Sequence, residues 1–227
     1  MILVIIAAAL LLTLIYGPAL WVRHVMARYR EPADRYPGTG GELARHLVRR
    51  LELSGVGVEE TDAGDHYDPV DKVVRLSPEN YRGRHLTAVT VAAHEVGHAL
   101  QDADGYQPLV LRTQLARLAA VGQRAGAALL VAVPVIMLLT RVPSTGLLLL
   151  LAGFLSIGLA VVVHLVTLPT ELDASFRRAL PLLEAGYLKP EDHAPARRIL
   201  AAAALTYVAA ALMSLLNIWV WLRFLRP

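Results

Sequence analysis

Cysteine is absent from all 227 residues, which excludes disulfide bridges and thiolate ligands; any metal must be held by imidazole and carboxylate. Charge is scarce as well. Charged residues make up 18% against 56% hydrophobic, and the mean hydropathy is +0.48, a balance too apolar for an ordinary soluble domain. Neither sign is concentrated: Trp21–Arg124 carries 14 Lys/Arg and 14 Asp/Glu, Glu171–Arg198 carries five of each, and the net +3 comes from Arg141, Arg223 and Arg226. No basic patch is left to follow a phosphate backbone, so nucleic acid is excluded as a partner. Internal repeats and low-complexity tails are missing too.

Long apolar runs are abundant. Met1–Val22 has no charged segment before it and no small-x-small cleavage site after it, so it reads as an uncleaved anchor. Ala125–Thr140, Thr145–Thr167 and Ala196–Leu222 read as three further spans, with Trp219 and Trp221 as interface anchors. Leu109–Arg124, crossed by Arg112, Arg117 and Arg124, reads as a helix at the membrane surface. Four spans put Trp21–Arg124 and Leu168–Arg198 on one side, and these hold 19 of the 22 Lys/Arg. The positive-inside rule makes that side cytoplasmic and the chain a multi-pass protein of the inner (plasma) membrane.

Within the first polar segment lies His94-Glu95-Val96-Gly97-His98. Residues four apart share one helix face with about 6 Å of rise between them, so His94 and His98 can offer two imidazoles to one ion with Glu95 beside them. Two neutral ligands and a carboxylate able to take a proton from water are the zinc-peptidase arrangement. Zn2+ is therefore the expected cofactor, with Glu95 as general base.

The surrounding segment reads as α+β. Thr39 and Glu42 have capping-box spacing before the Leu43/Leu47/Leu51 repeat, predicting a helix over Gly40–Leu53. Val56-Gly57-Val58 and Val73–Leu76 are strand candidates, and Asp62–Pro69 reads as a polar turn. The second strand is expected to offer an edge to an extended substrate. The motif helix, from His85–Thr87 to about Ala103, is expected at an aqueous interface with Val89, Ala92, Val96, Ala99 and Leu100 packed inward.

A catalytic zinc takes three protein ligands. The third must lie on the same side as the histidines, and Glu171, two crossings beyond His98, satisfies this; Asp173 is the rival. Asp102, four residues past His98, is a candidate to accept a hydrogen bond from a ligand imidazole. His66 and Tyr67 are candidates to hold a substrate carbonyl or oxyanion, set against a plain turn organised by Asp65 and Asp68. His164 reads as a packing residue near the end of the third span.

Over nearly its whole length the chain resembles the YugP-type neutral zinc metallopeptidases, a family of bacterial membrane proteins. The resemblance is carried by Asp65-His66-Tyr67-Asp68-Pro69, Lys72–Pro78, Val91–Asp102 and Leu168–Ser175. It implies a gluzincin-like membrane peptidase. More distantly it is similar to the prenyl-protein and heat-shock membrane proteases, whose E-x-x-x-D sequence supplies the third ligand and a supporting Asp; Ser175 stands at that Asp's position.

These readings give a mostly α, four-span helical membrane protein with a small cytoplasmic zincin-like α+β domain. The segments are 1–22 (span), 23–108 (peptidase segment), 109–170 (surface helix and two spans), 171–195 (third ligand) and 196–222 (span). The expected function is a zinc-dependent metalloendopeptidase acting on membrane-associated proteins or peptides at the cytoplasmic bilayer surface. A zinc-stabilised membrane scaffold or chaperone-like protein is the alternative, and it would tolerate Glu95→Gln.

Overall fold

In the computed structural model, residues 2–140, 162–163, 165–206 and 208 are described. Helix α1 (Ile2–Arg28) leads to α2 (Gly40–Arg50). Strands β1 (Gly57–Glu60), β2 (His66–Asp68) and β3 (Val73–Leu76), the short α3 (Pro78–Arg82), the motif helix α4 (Leu86–Ala103) and the long α5 (Gln107–Thr140) follow. Helix α6 (165–172) runs without a break into π-helical turns over Asp173–Ala179 and then α7 (Leu180–Glu184). A 3-10 turn at Pro190–Asp192 opens α8 (193–206).

Local chemistry accounts for the starts. At α2, Thr39 Oγ1 accepts from the Glu42 amide and the Glu42 carboxylate takes the Thr39 amide, closing the capping box. At α4, His85 occupies the cap and its Nδ1 accepts from the Ala88 amide.

The sheet has order β1-β3-β2, with β1 parallel and β2 antiparallel to β3. Val73–Leu76 is therefore the central strand, and its expected free edge is taken on both sides. The outer strand nearer the motif is β2, within the stretch read as a turn; with three residues it is too short to show an alternating pattern. On one sheet face Val74 and Leu76 are fully buried, while on the other Arg75 joins Glu59, Asp68 and Asp71 at 2.5, 2.6 and 2.7 Å.

The motif helix passes through the middle of the protein, contrary to the expected interfacial position. Only Leu100, Asp102 and Ala103 escape full burial. α2 and α3 pack on it, β2 and β3 flank it, and the π-helical turns cross it. Burial on every side explains why its composition is dominated by small and β-branched residues rather than by one apolar stripe.

The four-span architecture is overturned: among the described residues no helix is long and apolar enough to cross a membrane. Leu109–Arg124 and Ala125–Thr140 form one helix, α5, whose first half carries Arg112, Arg117 and Arg124. The start of the expected fourth span serves the protein interior instead, with Ala196, Ile199, Leu200, Ala202 and Ala204 buried, as are Val22 and Val25 of α1. Residues 145–161 and 209–222 of the expected spans lie outside the described residues.

Asp192 ties the two ends of the domain together. Its buried carboxylate accepts from Arg35 Nε and Nη2, both at 2.6 Å, and from Tyr36 Oη. Burial pushes its pKa up, but these bonds outweigh burial and hold it below the usual value. A depressed carboxylate pKa stabilises the fold above its unfolded value of about 3.9, and that stability is lost as pH falls through the folded value. Asp192→Asn is expected to lower unfolding free energy by about 2 kcal/mol at pH 7, with the gap to wild type closing as pH drops below about 4. Denaturant titrations at pH 7 and in acid check this, and a gap independent of pH would contradict it.

Candidate metal centre

His94 and His98 lie one turn apart on α4, ring centroids 4.8 Å apart and planes at 78°. Both turn Nε2 toward Glu171 Oε2, at 3.1 and 3.4 Å. The donor atoms of the three residues all lie within 4.8 Å of one another. A tetrahedral zinc with bonds of about 2.0–2.1 Å separates its ligand atoms by roughly 3.3 Å, so the His–Glu spacings suit that ion.

The ring protons also suit it. Ser175 Oγ donates its single hydrogen to the Leu200 carbonyl (3.3 Å), so it receives the His94 Nδ1–H at 3.1 Å. His98 Nδ1–H donates to Gln101 Oε1 at 2.9 Å. Each Nε2 is left with its lone pair inward. Glu171 Oε1 is buried and, among the described residues, has no aligned hydrogen-bond donor, although Arg112 Nη1 from α5 pairs with it at 3.2 Å. Burial raises the Glu171 pKa, while each imidazole, when a proton rather than a metal occupies its Nε2, lowers it by charge and hydrogen bond; the lowering outweighs burial and holds the carboxyl well below the usual range.

Backbone geometry brings Glu171 there. A Cβ on Gly97 would lie 2.8 Å from the Ala174 carbonyl oxygen, so only glycine permits this approach between α4 and the π-helical turns. The π winding, seen in the Leu180 amide donating to the Ser175 carbonyl five residues back, widens the inward arc. Thr170, Glu171, Asp173, Ala174 and Ser175 are all buried while Leu172 is exposed.

Glu95 is buried beside this group. Desolvation raises its carboxyl pKa to about 7, with the charges of Glu171 and Asp65 adding to the rise and His94 and Arg112 opposing it. It lines a cavity of about 440 Å³ with His94, His98, Glu171, His66, Tyr67 and Arg112, and Val22, Met26, Val91 and Ala203 contribute apolar wall.

The remaining candidates fall as follows. Asp102 does not support a ligand imidazole: its carboxylate accepts from Tyr67 Oη at 2.6 Å and pairs with Lys72, while Gln101 meets His98. Asp173 stays off the donor group, bonded to Gln101 and Arg178 at 2.9 and 2.8 Å. Ser175 keeps the supporting position as a hydroxyl. His66 Nδ1–H donates to the Gly64 carbonyl at 2.8 Å. Asp65 and Asp68 do organise backbone: Asp65 accepts from the Ser77 amide and hydroxyl and from Asn80, and Asp68 accepts from the amides of Val70 and Asp71. His164 lies outside the described residues. Sequence reasoning missed Gln101 and Arg112; the i, i+3 spacing of Gln101 from His98 was the available signal for the first, and an arginine within an apolar helix for the second.

Gly97→Ala is expected to destabilise the fold by about 1–3 kcal/mol and to weaken zinc retention at least about tenfold. Metal content and melting temperature read both effects, and two unchanged values would contradict the close approach.

Residues 1–226 match the protein family described as "Putative neutral zinc metallopeptidase". The chain is 40% identical over 182 residues to the "Putative membrane protease YugP" of Bacillus subtilis (strain 168), covering 79% of this chain and 77% of the relative. No solved structure matches the chain. Zinc is thus the family's metal, and His94, His98 and Glu171 form a group able to hold it.

Proposed function

The chain belongs to the neutral zinc metallopeptidase family, and on that premise we propose that it hydrolyses peptide bonds with His94, His98 and Glu171 as zinc ligands and Glu95 as general base. The observation that carries the reading is the buried Glu95 carboxyl beside two inward-facing Nε2 atoms, in a cavity roomy enough for a peptide segment. Bound there, zinc supplies a Lewis acid that polarises the scissile carbonyl and acidifies the attacking water.

The protein's own groups do the rest. Glu95 takes the water proton and hands it to the leaving amine, and burial raises its carboxyl pKa toward the value suited to both transfers. Arg112 holds the second oxygen of Glu171. An extended substrate would pair along β2, the outer strand that brings His66 and Tyr67 to the cavity. Tyr67 gives its hydrogen to Asp102, and burial with that neighbouring charge raises its pKa, so it acts as a protonated wall and releases to a substrate carbonyl only by leaving Asp102. His66 can donate from Nε2 only as the doubly protonated ring, since its Nδ1–H is engaged.

The substrate proposed is a membrane-associated protein or peptide; the relative's name, "Putative membrane protease YugP", supports a membrane setting for it.

Glu95→Gln leaves all three ligands in place. It is expected to keep about one zinc per chain while peptide cleavage falls at least about 100-fold. Glu171→Gln is expected to lose zinc and activity together, because a neutral amide is a poorer ligand. Metal analysis and peptide cleavage on both variants decide the roles. Full cleavage by the Glu95 variant would remove Glu95 as the base, no cleavage by zinc-loaded wild type would favour the non-catalytic scaffold, and full zinc retention by the Glu171 variant would remove it as a ligand.

A further inference from the structure

Gln101 is the one fully buried glutamine side chain of α4, and three elements of the centre meet on its amide. Its Nε2 donates to the Thr170 carbonyl at 2.8 Å and to Asp173 Oδ2 at 2.9 Å. Both partner atoms accept only, the first being a carbonyl and the second, Asp173 Oδ2, accepting also from Arg178 Nε at 2.8 Å. Both amide hydrogens are therefore used, the amide cannot be flipped, and Oε1 must face His98 Nδ1. An acceptor there requires the proton on Nδ1 and, in the neutral ring that binds a metal, leaves Nε2 with its lone pair. Thr170 directly precedes Glu171, so the same side chain that sets the state of one ligand also fixes the backbone carrying another.

We propose that Gln101 is a positioning residue of the metal centre, locking His98 into its Nε2-donor tautomer and setting the distance between α4 and the Glu171 segment. The inference rests on the reading of His94, His98 and Glu171 as zinc ligands. Where a carboxylate would serve His98 alone, the amide is needed because it must donate twice while accepting once. The line continues to the surface: Arg178, bonded to Asp173, also reaches Asp104 Oδ2 at 2.5 Å, just past the end of α4. Asp173 thus acts through Gln101 rather than on the ion, which gives this acid a part other than ligation.

The test measures zinc affinity by chelator competition on purified full-length protein, alongside the thermal melt of the metal-free form. Gln101→Met, close in volume but without donors or acceptor, is expected to weaken zinc by about 10–100-fold. An affinity within about twofold of wild type, with only the melt lowered, would show that Gln101 is merely structural and overturn the proposal. Gln101→Glu keeps the acceptor for His98 but sets two carboxylates together, and it is expected to lose at least about tenfold. Adding Asp173→Asn returns a donor to that contact and is expected to recover most of the loss; equal affinity in wild type, single and double variants would overturn the proposal even if the Met variant fails to fold. Wild-type protein that binds no zinc would instead refute the ligand reading, so the two failures are distinguishable.

Discussion

At Gly97 the ligand helix and the segment carrying Glu171 come so close that a methyl group would sit 2.8 Å from the Ala174 carbonyl oxygen. A motif of two histidines on one helix provides only two ligands, so the centre depends on how near a second element can be brought. The bare Cα lets it approach, and the π-helical winding then turns Glu171 and Ser175 onto the two imidazoles while Asp173 reaches Gln101. π-helical turns carry weaker backbone geometry than α-helical ones and recur at functional sites. Here the winding places three consecutive buried residues, Asp173, Ala174 and Ser175, on the side facing α4.

Depth is the second constraint. Because α4 is enclosed, each polar group on it must be satisfied or must be waiting for a ligand. His85, His98 and Gln101 are satisfied within the protein. Glu95 pays for its burial with a carboxyl pKa near 7, and Glu171 keeps one oxygen without an aligned donor. Thr90 Oγ1 on α4 and Thr170 Oγ1 beside Glu171 are also buried without a hydrogen-bond partner among the described residues, but Glu95 and Glu171 are the carboxyls to which hydrolysis assigns a base and a ligand.

Much of the centre was legible because it is local in sequence. The spacing of His94, Glu95 and His98 fixes their relation on any helix, and Thr39 with Glu42 announced α2. Glu171 was reachable only by a topological argument, and the spans on which that argument stood are not supported among the described residues, although the residue does meet the histidines. Its place instead follows from a contact between Gly97 and Ala174, residues far apart in the chain. The strand β2 is three residues long and surrounded by turn formers, so no periodicity could mark it. Hydropathy misled at 196–206 because a segment packed in a protein interior and one packed in lipid have the same composition; burial of Ala196, Ile199 and Leu200 tells them apart only once the neighbours are known. Asp102 and Gln101 are adjacent, and helical rotation decides which one meets His98; four residues from the ligand was the wrong offset and three the right one.

The most direct measurement is the coordination environment of zinc in the loaded protein, read by X-ray absorption together with the anomalous signal in a crystal. The account predicts one zinc bound by the Nε2 atoms of His94 and His98 and by a Glu171 oxygen, all at about 2.0–2.2 Å. A zinc held by the histidines without Glu171, by Asp173 in its place, or through Nδ1 of either ring would contradict it.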